Sequence, residues 1–398
     1  MTAESPIRAS APTIGEAGTG FGLYVHWPFC QAKCPYCDFN SHVVQRIDQA
    51  RWAAALVSEV RRVAALTRER ELTSVFFGGG TPSTMTAETV GAVMEAIGQS
   101  WTCAADLEVS LEANPTSVDA ARFTGYRAAG VTRLSLGVQA LNDIDLKRLG
   151  RLHSAQEARA AFGVARETFE RVSFDLICAR QDQSAAAWRT ELREALALAA
   201  DHLSLYQLTI EPGTVFAARH ARGRLLGLPD EELGADLYEI TVDACEAAGL
   251  ALYEVSNFAR PGAECRHNLL YWSGGDYAGI GPGAHGRLTL GRVRQATEQV
   301  AMPGPWLAAV EEGRMAHEES TALAPPDQAY EYIMMGLRKK SGLNVEYLGR
   351  IAALPEHFWT RAMDLEHMGM LRRSGPRLRV TSAGRLLLNR IVADLTEW

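Results

Sequence analysis

The chain has 398 residues, of which 47% are hydrophobic and 22% are charged, and this composition excludes a disordered protein. Because single hydrophobic cores seldom grow beyond roughly 250–300 residues, the length favours two domains. The 47 acidic residues outnumber the 40 basic residues, which gives a net charge of −7. An acidic chain lacks the field that gathers polyanions, so we expect no nucleic-acid partner.

The location of the protein is suggested by three features. No run reaches the roughly 18 uncharged apolar residues that a membrane helix needs. Residues 1–20 have no basic start followed by an apolar stretch, so we interpret them as a mobile lead-in and not as a secretory signal. The seven cysteines are an odd number, which argues against a framework of disulfides. We therefore expect a cytoplasmic protein with reduced thiols.

Short β-type runs alternate with helical segments through the first 255 residues. The predicted strands are 22–26, 74–77, 107–111, 133–138, 172–177, 202–210 and 250–255. The predicted helices include 48–71, 87–97, 153–169 and 185–199. This alternation predicts a parallel sheet with crossover helices, a partial or full (β/α) TIM-type barrel over residues 21–302. In such barrels the functional residues lie at the carboxyl ends of the strands.

The pattern changes after about Pro303. Residues 326–340, 345–353 and 356–367 look helical, and a hairpin with Ser-Gly-Pro at its tip precedes a last helix from about Ser382. This order predicts a mostly helical, winged-helix-like domain over residues 303–398. Six arginines lie between Arg372 and Arg390 and suggest DNA binding, but the acidic total charge favours an accessory domain with a solvated basic face.

Three cysteines, Cys30, Cys34 and Cys37, are spaced C-x3-C-x2-C in a loop after the first strand. Soft thiolates bind zinc or iron–sulfur clusters. A structural zinc site normally has four protein ligands, and no second pair of cysteines accompanies these three. On a four-iron cubane, three thiolates would leave one iron open to a small molecule. We therefore predict a [4Fe–4S] cluster, and zinc is the remaining alternative.

Two further segments follow predicted strands. In Gly78-Gly79-Gly80-Thr81-Pro82 the glycines would let backbone approach a ligand closely, although a glycine triplet is also typical of a tight turn. Glu112 follows the strand LEVSL, and its carboxylate could accept hydrogen bonds from a ribose or an amino group. An exposed loop acid is the plain alternative for Glu112.

The C-x3-C-x2-C motif resembles the cluster motif of the radical S-adenosylmethionine (SAM) superfamily, in which the open iron binds SAM. The string YVHWPFC…CPYCDF resembles the group that contains the oxygen-independent coproporphyrinogen III oxidases (HemN) and the haem chaperones (HemW). This resemblance covers roughly residues 21–398. It implies a partial barrel of the radical SAM kind, a [4Fe–4S] cluster on the three cysteines, and SAM as a cofactor.

The resemblance also implies which residues contact SAM or line the cavity. They are Tyr24, Tyr36, Gly79, Gly80, Thr81, Glu112, Gln139, Arg151 and Asp175. One segment departs from the pattern, since Cys178-Ala-Arg-Gln stands where relatives often have Tyr-Gly-Leu-Pro. This departure leaves the shape of the local loop open.

Two features separate the chaperones from the oxidases. Phe39 stands where the oxidases carry a fourth cysteine, and His267-Asn-Leu-Leu-Tyr-Trp matches the H-N-x-x-Y-W string of the chaperones. We therefore predict a chaperone that binds haem and passes it to unidentified acceptor proteins, with membrane-associated proteins among the candidates. The alternative is a radical SAM oxidase that decarboxylates coproporphyrinogen III, an activity that we do not expect. A zinc-stabilised nucleic-acid module is a third interpretation.

His267 is the predicted haem ligand. Imidazole is a common axial ligand of haem iron, and Tyr271 and Trp272 would offer flat apolar faces to a porphyrin. Since His267 follows a predicted strand and a loop, we expect it near the catalytic rim of the barrel. In the plainer alternative, His267 and Asn268 only hold that loop by hydrogen bonds.

Overall fold

The computed structural model describes residues 20–397. The predicted lead-in over residues 1–20 therefore lies, except for its last residue, outside the described chain. Among the described residues, no helix is long and apolar enough to cross a bilayer.

The strands are numbered in chain order. They are β1 (Phe21–Trp27), β2 (Phe29–Cys30), β3 (His42–Val43), β4 (Glu71–Gly79), β5 (Thr102–Ala113), β6 (Arg133–Gln139), β7 (Arg171–Cys178), β8 (His202–Gln207), β9 (Ala251–Glu254), β10 (Asn257–Ala259), β11 (Asp276–Ile280), β12 (His285–Leu290), β13 (Val293–Gln299), β14 (His317–Ala322), β15 (Leu343–Asn344), β16 (Leu371–Ser374) and β17 (Arg377–Val380).

The α-helices are numbered in the same way. They are α1 (Gln49–Thr67), α2 (Ala87–Ser100), α3 (Ala120–Ala128), α4 (Asp143–Arg148), α5 (Ala155–Thr168), α6 (Ala185–Leu198), α7 (Val215–Ala221), α8 (Glu231–Ala247), α9 (Arg266–Trp272), α10 (Pro303–Glu311), α11 (Pro325–Gly336), α12 (Val345–Ile351), α13 (Glu356–His367), α14 (Ser382–Arg385) and α15 (Leu388–Thr396).

A twelve-stranded sheet runs in the order β14-β13-β12-β11-β1-β4-β5-β6-β7-β8-β10-β9. Its middle, from β11 to β8, is parallel, and antiparallel strands extend both ends. Within the described chain the end strands β14 and β9 do not pair with each other, so the barrel is open. The predicted α/β fold with a partial barrel is confirmed.

Side chains alternate between the two faces of each parallel strand, as strand geometry requires. On β5, Val109 and Leu111 belong to the hydrophobic core between the sheet and its helices. Glu108 and Ser110, which are also buried, point to the other face, where Glu108 pairs with Arg171 of β7 at 3.2 Å. The apolar core therefore lies outside the barrel, and polar groups fill the inside.

Helix α1 shows how the sequence builds the outer layer. Asp48 caps its first turn by accepting a hydrogen bond from the Arg51 N–H, as Asp often does at a helix N-terminus. Trp52, Leu56 and Val60, spaced at helical periodicity, are buried against the sheet. Trp52 also stacks on Trp306 of α10, with ring centroids 5.5 Å apart. Helix α10 therefore packs with the barrel.

A second hydrophobic core extends from Ala329 to Leu395. Helix α15 contacts both α11 and α13, while α13 contacts β16 of the hairpin β16–β17 and α11 contacts the short strand β15. This agrees with the helix–hairpin–helix order predicted from the sequence. The domain boundary after residue 302 stays a prediction. Helix α10 and strand β14 pack with the large sheet, whereas the second core begins at Ala329.

Candidate cluster and cofactor site

A cavity of about 700 Å³ lies at the carboxyl ends of the parallel strands, where the barrel rule predicts the functional residues. The predicted site residues in its wall are Cys30, Cys34, Tyr36, Cys37, Gly79, Gly80, Thr81, Glu112, Gln139, Arg151 and Asp175. Tyr24 and His267 are not part of this wall. The fold thus brings together residues that are up to 145 positions apart in the chain (175 − 30 = 145).

Cys30 ends β2, and Cys34 and Cys37 lie in the loop that connects β2 with β3. The Cys37 N–H donates to the Cys34 carbonyl at 3.2 Å, which closes a tight turn. The Lys33 ammonium donates to the carbonyls of Phe39 and Ser41 at 3.0 and 3.2 Å. These bonds fold the loop so that all three free thiols face the cavity.

Hydrogen-bond donors lie beside the sulfurs. The Thr81 hydroxyl donates to Cys30 Sγ at 3.3 Å, and Arg151 Nη1 donates to Cys34 Sγ at 3.4 Å. Burial raises the pKa of the Cys30 and Cys37 thiols, whereas donors favour the thiolate, which is the form that binds metal.

The polar atoms of the cavity wall help to decide whether an iron–sulfur cluster and its ligand would fit there. Two of them, Ser41 Oγ and Arg151 Nε, are buried without a hydrogen-bond partner in the described chain, which is unusual for buried polar atoms. No three His, Cys, Asp or Glu side chains of residues 20–397 are gathered closely enough to hold a single metal ion. Three thiols lie on one wall, with hydrogen-bond donors beside the sulfurs. This arrangement fits an iron–sulfur cluster, in which each thiolate binds one iron.

Glu112 and Asp175 place two carboxyl groups in the same wall. Burial and, secondarily, the nearby Asp175 charge raise the pKa of Glu112 to about 8, against the hydrogen bond that the Gly79 N–H donates at 3.3 Å. Burial raises the pKa of Asp175 to about 6, although hydroxyls of Ser204 and Ser135 oppose this shift. A cation bound between these groups would favour their ionised forms, so the site suits a positively charged ligand.

The glycine turn at the end of β4 forms part of the cavity wall next to the cysteine loop. Gly79 has a φ of +108°, and a Cβ atom on it would lie 2.6 Å from the His26 ring, so glycine is required there. The N–H groups of Gly80 and Thr81 donate to the carbonyls of Trp27 and Phe29, both at 2.8 Å. The turn is therefore hydrogen-bonded to the segment that carries Cys30.

Tyr24 and His267 lie deeper in the barrel than the cavity wall. Tyr24 forms a hydrogen bond with His26 at 3.0 Å and stacks on Phe76 at 6.3 Å. His267 lies on α9, where its Nδ1 is 2.9 Å from Ser74 Oγ and its Nε2 is 2.6 Å from the Tyr271 hydroxyl.

The expectation that His267 lies near the catalytic rim is wrong. Its ring is next to Gly22, near the amino end of β1, because α9 packs against β1, β4 and β11 from the end opposite to the cysteines. Burial lowers the pKa of the His267 imidazole to about 3. The ligand role of His267 stays a prediction, and both ring nitrogens are already engaged.

Comparisons with known proteins agree with the cysteine motif. The sequence model of the radical SAM superfamily matches residues 24–183, and that of the HemN C-terminal domain matches residues 323–387. The heme chaperone HemW of Escherichia coli (strain K12) is 36% identical over 93% of this chain and 96% of its own length. The chain belongs to the HemW group of the radical SAM superfamily. Membership of this superfamily implies a [4Fe–4S] cluster and SAM, and the predicted family is confirmed.

Other known proteins are also similar to this chain. The heme chaperone HemW of Bacillus subtilis (strain 168) is 36% identical over 92% of this chain and 97% of its own length. The mitochondrial radical S-adenosyl methionine domain-containing protein 1 of Mus musculus is 42% identical over 84% of this chain and 77% of its own length. The solved structure of the coproporphyrinogen III oxidase HemN from Escherichia coli, a radical SAM enzyme, has a TM-score of 0.80 and 23% identity, and covers 95% of this chain and 90% of its own. This structure shows the shared fold.

The wall of the 700 Å³ cavity also contains residues that the sequence analysis did not predict. Tyr206 lies at the end of β8, and the rule that barrel sites lie at strand ends could have found it. Asn389 comes from α15 of the C-terminal region. No local signal in the sequence marks Asn389, since its place in the wall depends on how the second core packs against the barrel.

Proposed function

We propose that this protein is a haem chaperone that holds a [4Fe–4S] cluster on Cys30, Cys34 and Cys37 and binds SAM in the 700 Å³ cavity. The observation that carries the proposal is that one wall combines three thiols with two carboxyl groups of raised pKa, Glu112 and Asp175. The haem part is supported by the similarity to proteins that are named heme chaperones.

The residues of the wall have separate tasks in this proposal. The three thiolates hold the cluster, which when bound supplies an open iron and exchanges electrons. Glu112 and Asp175 accept hydrogen bonds from cationic or hydroxyl groups of SAM. Arg151, which donates to Cys34 Sγ at 3.4 Å and to the Gly137 carbonyl at 2.7 Å, keeps a free N–H at Nε.

The charge of the cavity disfavours coproporphyrinogen III as a ligand there. Coproporphyrinogen III carries four propionate groups, which need cationic partners. The acidic lining residues are Asp38, Glu112, Asp175 and Glu211. The basic lining residues in the described chain are Lys33 and Arg151, and both already donate to protein atoms. The cavity therefore suits the sulfonium cation of SAM better than a tetra-anion.

We propose that haem binds through the segment from His267 to Trp272. Tyr271 and Trp272 line a small cavity of about 120 Å³ between the barrel and the C-terminal helices. To bind iron, His267 would have to release Ser74 or Tyr271, so haem binding requires a local movement of α9. The acceptor proteins, a membrane association of those proteins and a cytoplasmic location belong to this proposal as well.

Anaerobic reconstitution tests the proposal. The reconstituted chain should show the broad visible absorption of an iron–sulfur cluster, bind added haem with a Soret band, and transfer it to an apo-haem protein. Cys34→Ala should abolish the cluster absorption, whereas Cys245→Ala, which changes a buried thiol of α8, should keep it. Failure of the parent to bind haem would refute the chaperone function.

A complementation experiment separates the two candidate functions. We expect that the chain does not rescue anaerobic growth of a strain that lacks coproporphyrinogen III oxidase. An oxidase gene on the same vector is the positive control. Rescue by this chain would overturn the proposal in favour of the oxidase.

A further inference from the structure

Gln139 has an unusual backbone conformation at the edge of the cavity. It ends β6 with a φ of +74°, in the left-handed region that side chains other than glycine rarely occupy. Its side chain lines the cavity, next to Gly137, where a Cβ atom would lie 3.0 Å from Gln139 Nε2. The structure gives the Gln139 amide no hydrogen bond within residues 20–397, so the amide is available to a ligand.

A buried ion pair between Arg180 and Glu191 holds the backbone on both sides of Ala140, the residue that follows Gln139. Arg180 Nη1 donates to the Gln139 carbonyl at 3.3 Å, and Glu191 Oε1 accepts from the Leu141 N–H at 2.7 Å. Arg180 and Glu191 form a short hydrogen bond with each other. The pair therefore fixes one peptide group before Ala140 and one after it.

This pair is shielded from water. The exposed fractions are 2% for Arg180 and 9% for Glu191. Asp145 lies 3.0 Å from Arg180 Nη2 and supplies a second negative charge. In such an environment charge-assisted hydrogen bonds are strong, and the conformation they hold is well determined.

The loop that carries Arg180 is itself bent to present this side chain. Ala179 and Asp182, on either side of it, have φ values of +59° and +57°. Together with Gln139 they are the non-glycine residues of the described chain with positive φ. Strained backbone of this kind persists only where the surroundings determine it, and it collects at functional sites. Here Gln139 accepts a hydrogen bond from Arg180, and Ala179 and Asp182 belong to the loop that carries Arg180.

Arg180 does not line the cavity, so it can affect a ligand there only through other residues. We propose that Arg180 and Glu191 are positioning residues that hold Gln139 in its left-handed conformation, with the amide directed at the SAM bound in the cavity. This inference rests on the proposed function, because SAM is the ligand named in it.

A double-mutant cycle tests the inference on the full, anaerobically reconstituted chain, with SAM affinity measured by calorimetry. Gln139→Ala should weaken SAM binding by roughly three- to tenfold, the range expected for one neutral hydrogen bond. Arg180→Met should weaken it to a similar degree. Combining the two should cost no more than the larger single loss, because Arg180 acts through Gln139.

Two further variants keep the test decisive. Arg159→Met is the matched control, since Arg159 Nη2 donates to the Leu141 carbonyl at 3.0 Å from the outer side of the same segment, and SAM affinity should stay at the parent value. If Arg180→Met does not fold, Glu191→Gln replaces it, because glutamine keeps an acceptor for Leu141 but loses the charge that holds Arg180.

The outcomes separate the inference from the function on which it rests. Parent-like SAM affinity in a folded Arg180→Met or Glu191→Gln variant, beside a weakened Gln139→Ala, would overturn the positioning role. Additive losses in the double variant would overturn it too, since Arg180 would then act independently of Gln139. A parent that binds no SAM would instead overturn the proposed cofactor, and the ligand named here with it.

Discussion

Glu112 and Asp175 are two carboxyl groups on one wall, and burial makes both weaker acids than usual. Their ionisation should therefore be coupled to the binding of a cation. We expect SAM affinity to rise between about pH 7 and pH 9, because Glu112 ionises through its pKa of about 8 and the carboxylate attracts the sulfonium.

Glu112→Gln should remove most of this rise. At about pH 9 it should weaken SAM binding by roughly ten- to a hundredfold, since a hydrogen bond to a charged group is worth about 1.5–3 kcal/mol. Calorimetry at three pH values, with iron content as the control, measures both effects. An equal slope in parent and variant would remove Glu112 from the ligand site.

The stability of the cofactor-free chain should have the opposite pH dependence. Because the pKa of Glu112 is raised from 4.5 to about 8 in the folded state, its contribution to the free energy of unfolding is present below about pH 4.5 and is lost as the pH rises through 8. Glu112→Gln should flatten this decline in urea unfolding. The slope of the parent curve is the reference.

His267 can be tested without assuming its role, because Ser74 holds Nδ1 of the same ring at 2.9 Å. If His267 binds haem iron, His267→Ala should lower haem occupancy and change the Soret band. Ser74→Ala removes a hydrogen bond but keeps the imidazole, so it should keep the band. Ser74→Ala should lose about 1–2 kcal/mol of stability from one buried hydrogen bond. His267→Ala should lose more, because it removes both hydrogen bonds of the ring and leaves a cavity. Parent-like spectra from His267→Ala would make His267 structural.

The residues that the sequence predicted best are those with a local signature. The spacing of Cys30, Cys34 and Cys37 puts three thiols in one loop whatever the rest of the chain does. The depth of His267 could not be predicted, because its ring lies next to Gly22 of β1, which is 245 residues earlier in the chain (267 − 22 = 245). Such long-range packing leaves no periodic pattern in the sequence.

At the scale of elements, buried parallel strands could be predicted because both of their faces are covered. The strand at 133–138 in the prediction is Arg133–Gln139 in the structure. The strands β10 to β14 were not predicted. β13 reads VRQATEQ, with the polar residues Arg294, Thr297 and Gln299 at its buried positions, and β10 has only three residues. Such strands carry too little hydrophobic pattern to be found from the sequence.

The glycine turn after β4 gives a prediction at this scale. Gly79→Ala should destabilise the protein by more than about 1 kcal/mol, because the φ of +108° and the His26 ring at 2.6 Å both exclude a Cβ atom. Gly98→Ala is the matched control. Gly98 lies in α2 with nothing within 4 Å of the added Cβ, so alanine should stabilise the helix by about 0.5–1 kcal/mol. Urea unfolding compares them, and equal effects would contradict the strain.

At the scale of the whole molecule, the arginines of the C-terminal region are part of its packing. The Arg373 guanidinium lies 5.2 Å from the centre of the Trp359 ring. Arg377 donates to the Gly342 carbonyl at 3.3 Å, and Arg379 donates to the Ser341 carbonyl at 3.2 Å. These contacts and the net charge of −7 oppose a DNA-binding role for the winged-helix-like shape.

We therefore expect no retention of duplex DNA in a mobility-shift assay at roughly 0.15 M salt, where phosphate contacts are already weakened. The test is the comparison with an assay at roughly 0.05 M salt. A tight complex at the lower salt that weakens steeply at the higher salt would support the nucleic-acid interpretation. Replacing Arg372 and Arg390 by Ala would then show whether the arginine-rich face carries it.

The alternation along β5 separates two kinds of mutational tolerance. Val109 and Leu111 serve the core, while Glu108, Ser110 and Glu112 serve the inside of the barrel. Substitutions at every second position can therefore change which ligand the barrel accepts while the intervening positions keep the chain folded. A single inserted residue would exchange the two sets at once. Descendants of this fold can acquire new chemistry by substitution within the strands, whereas insertions are tolerated only in the loops.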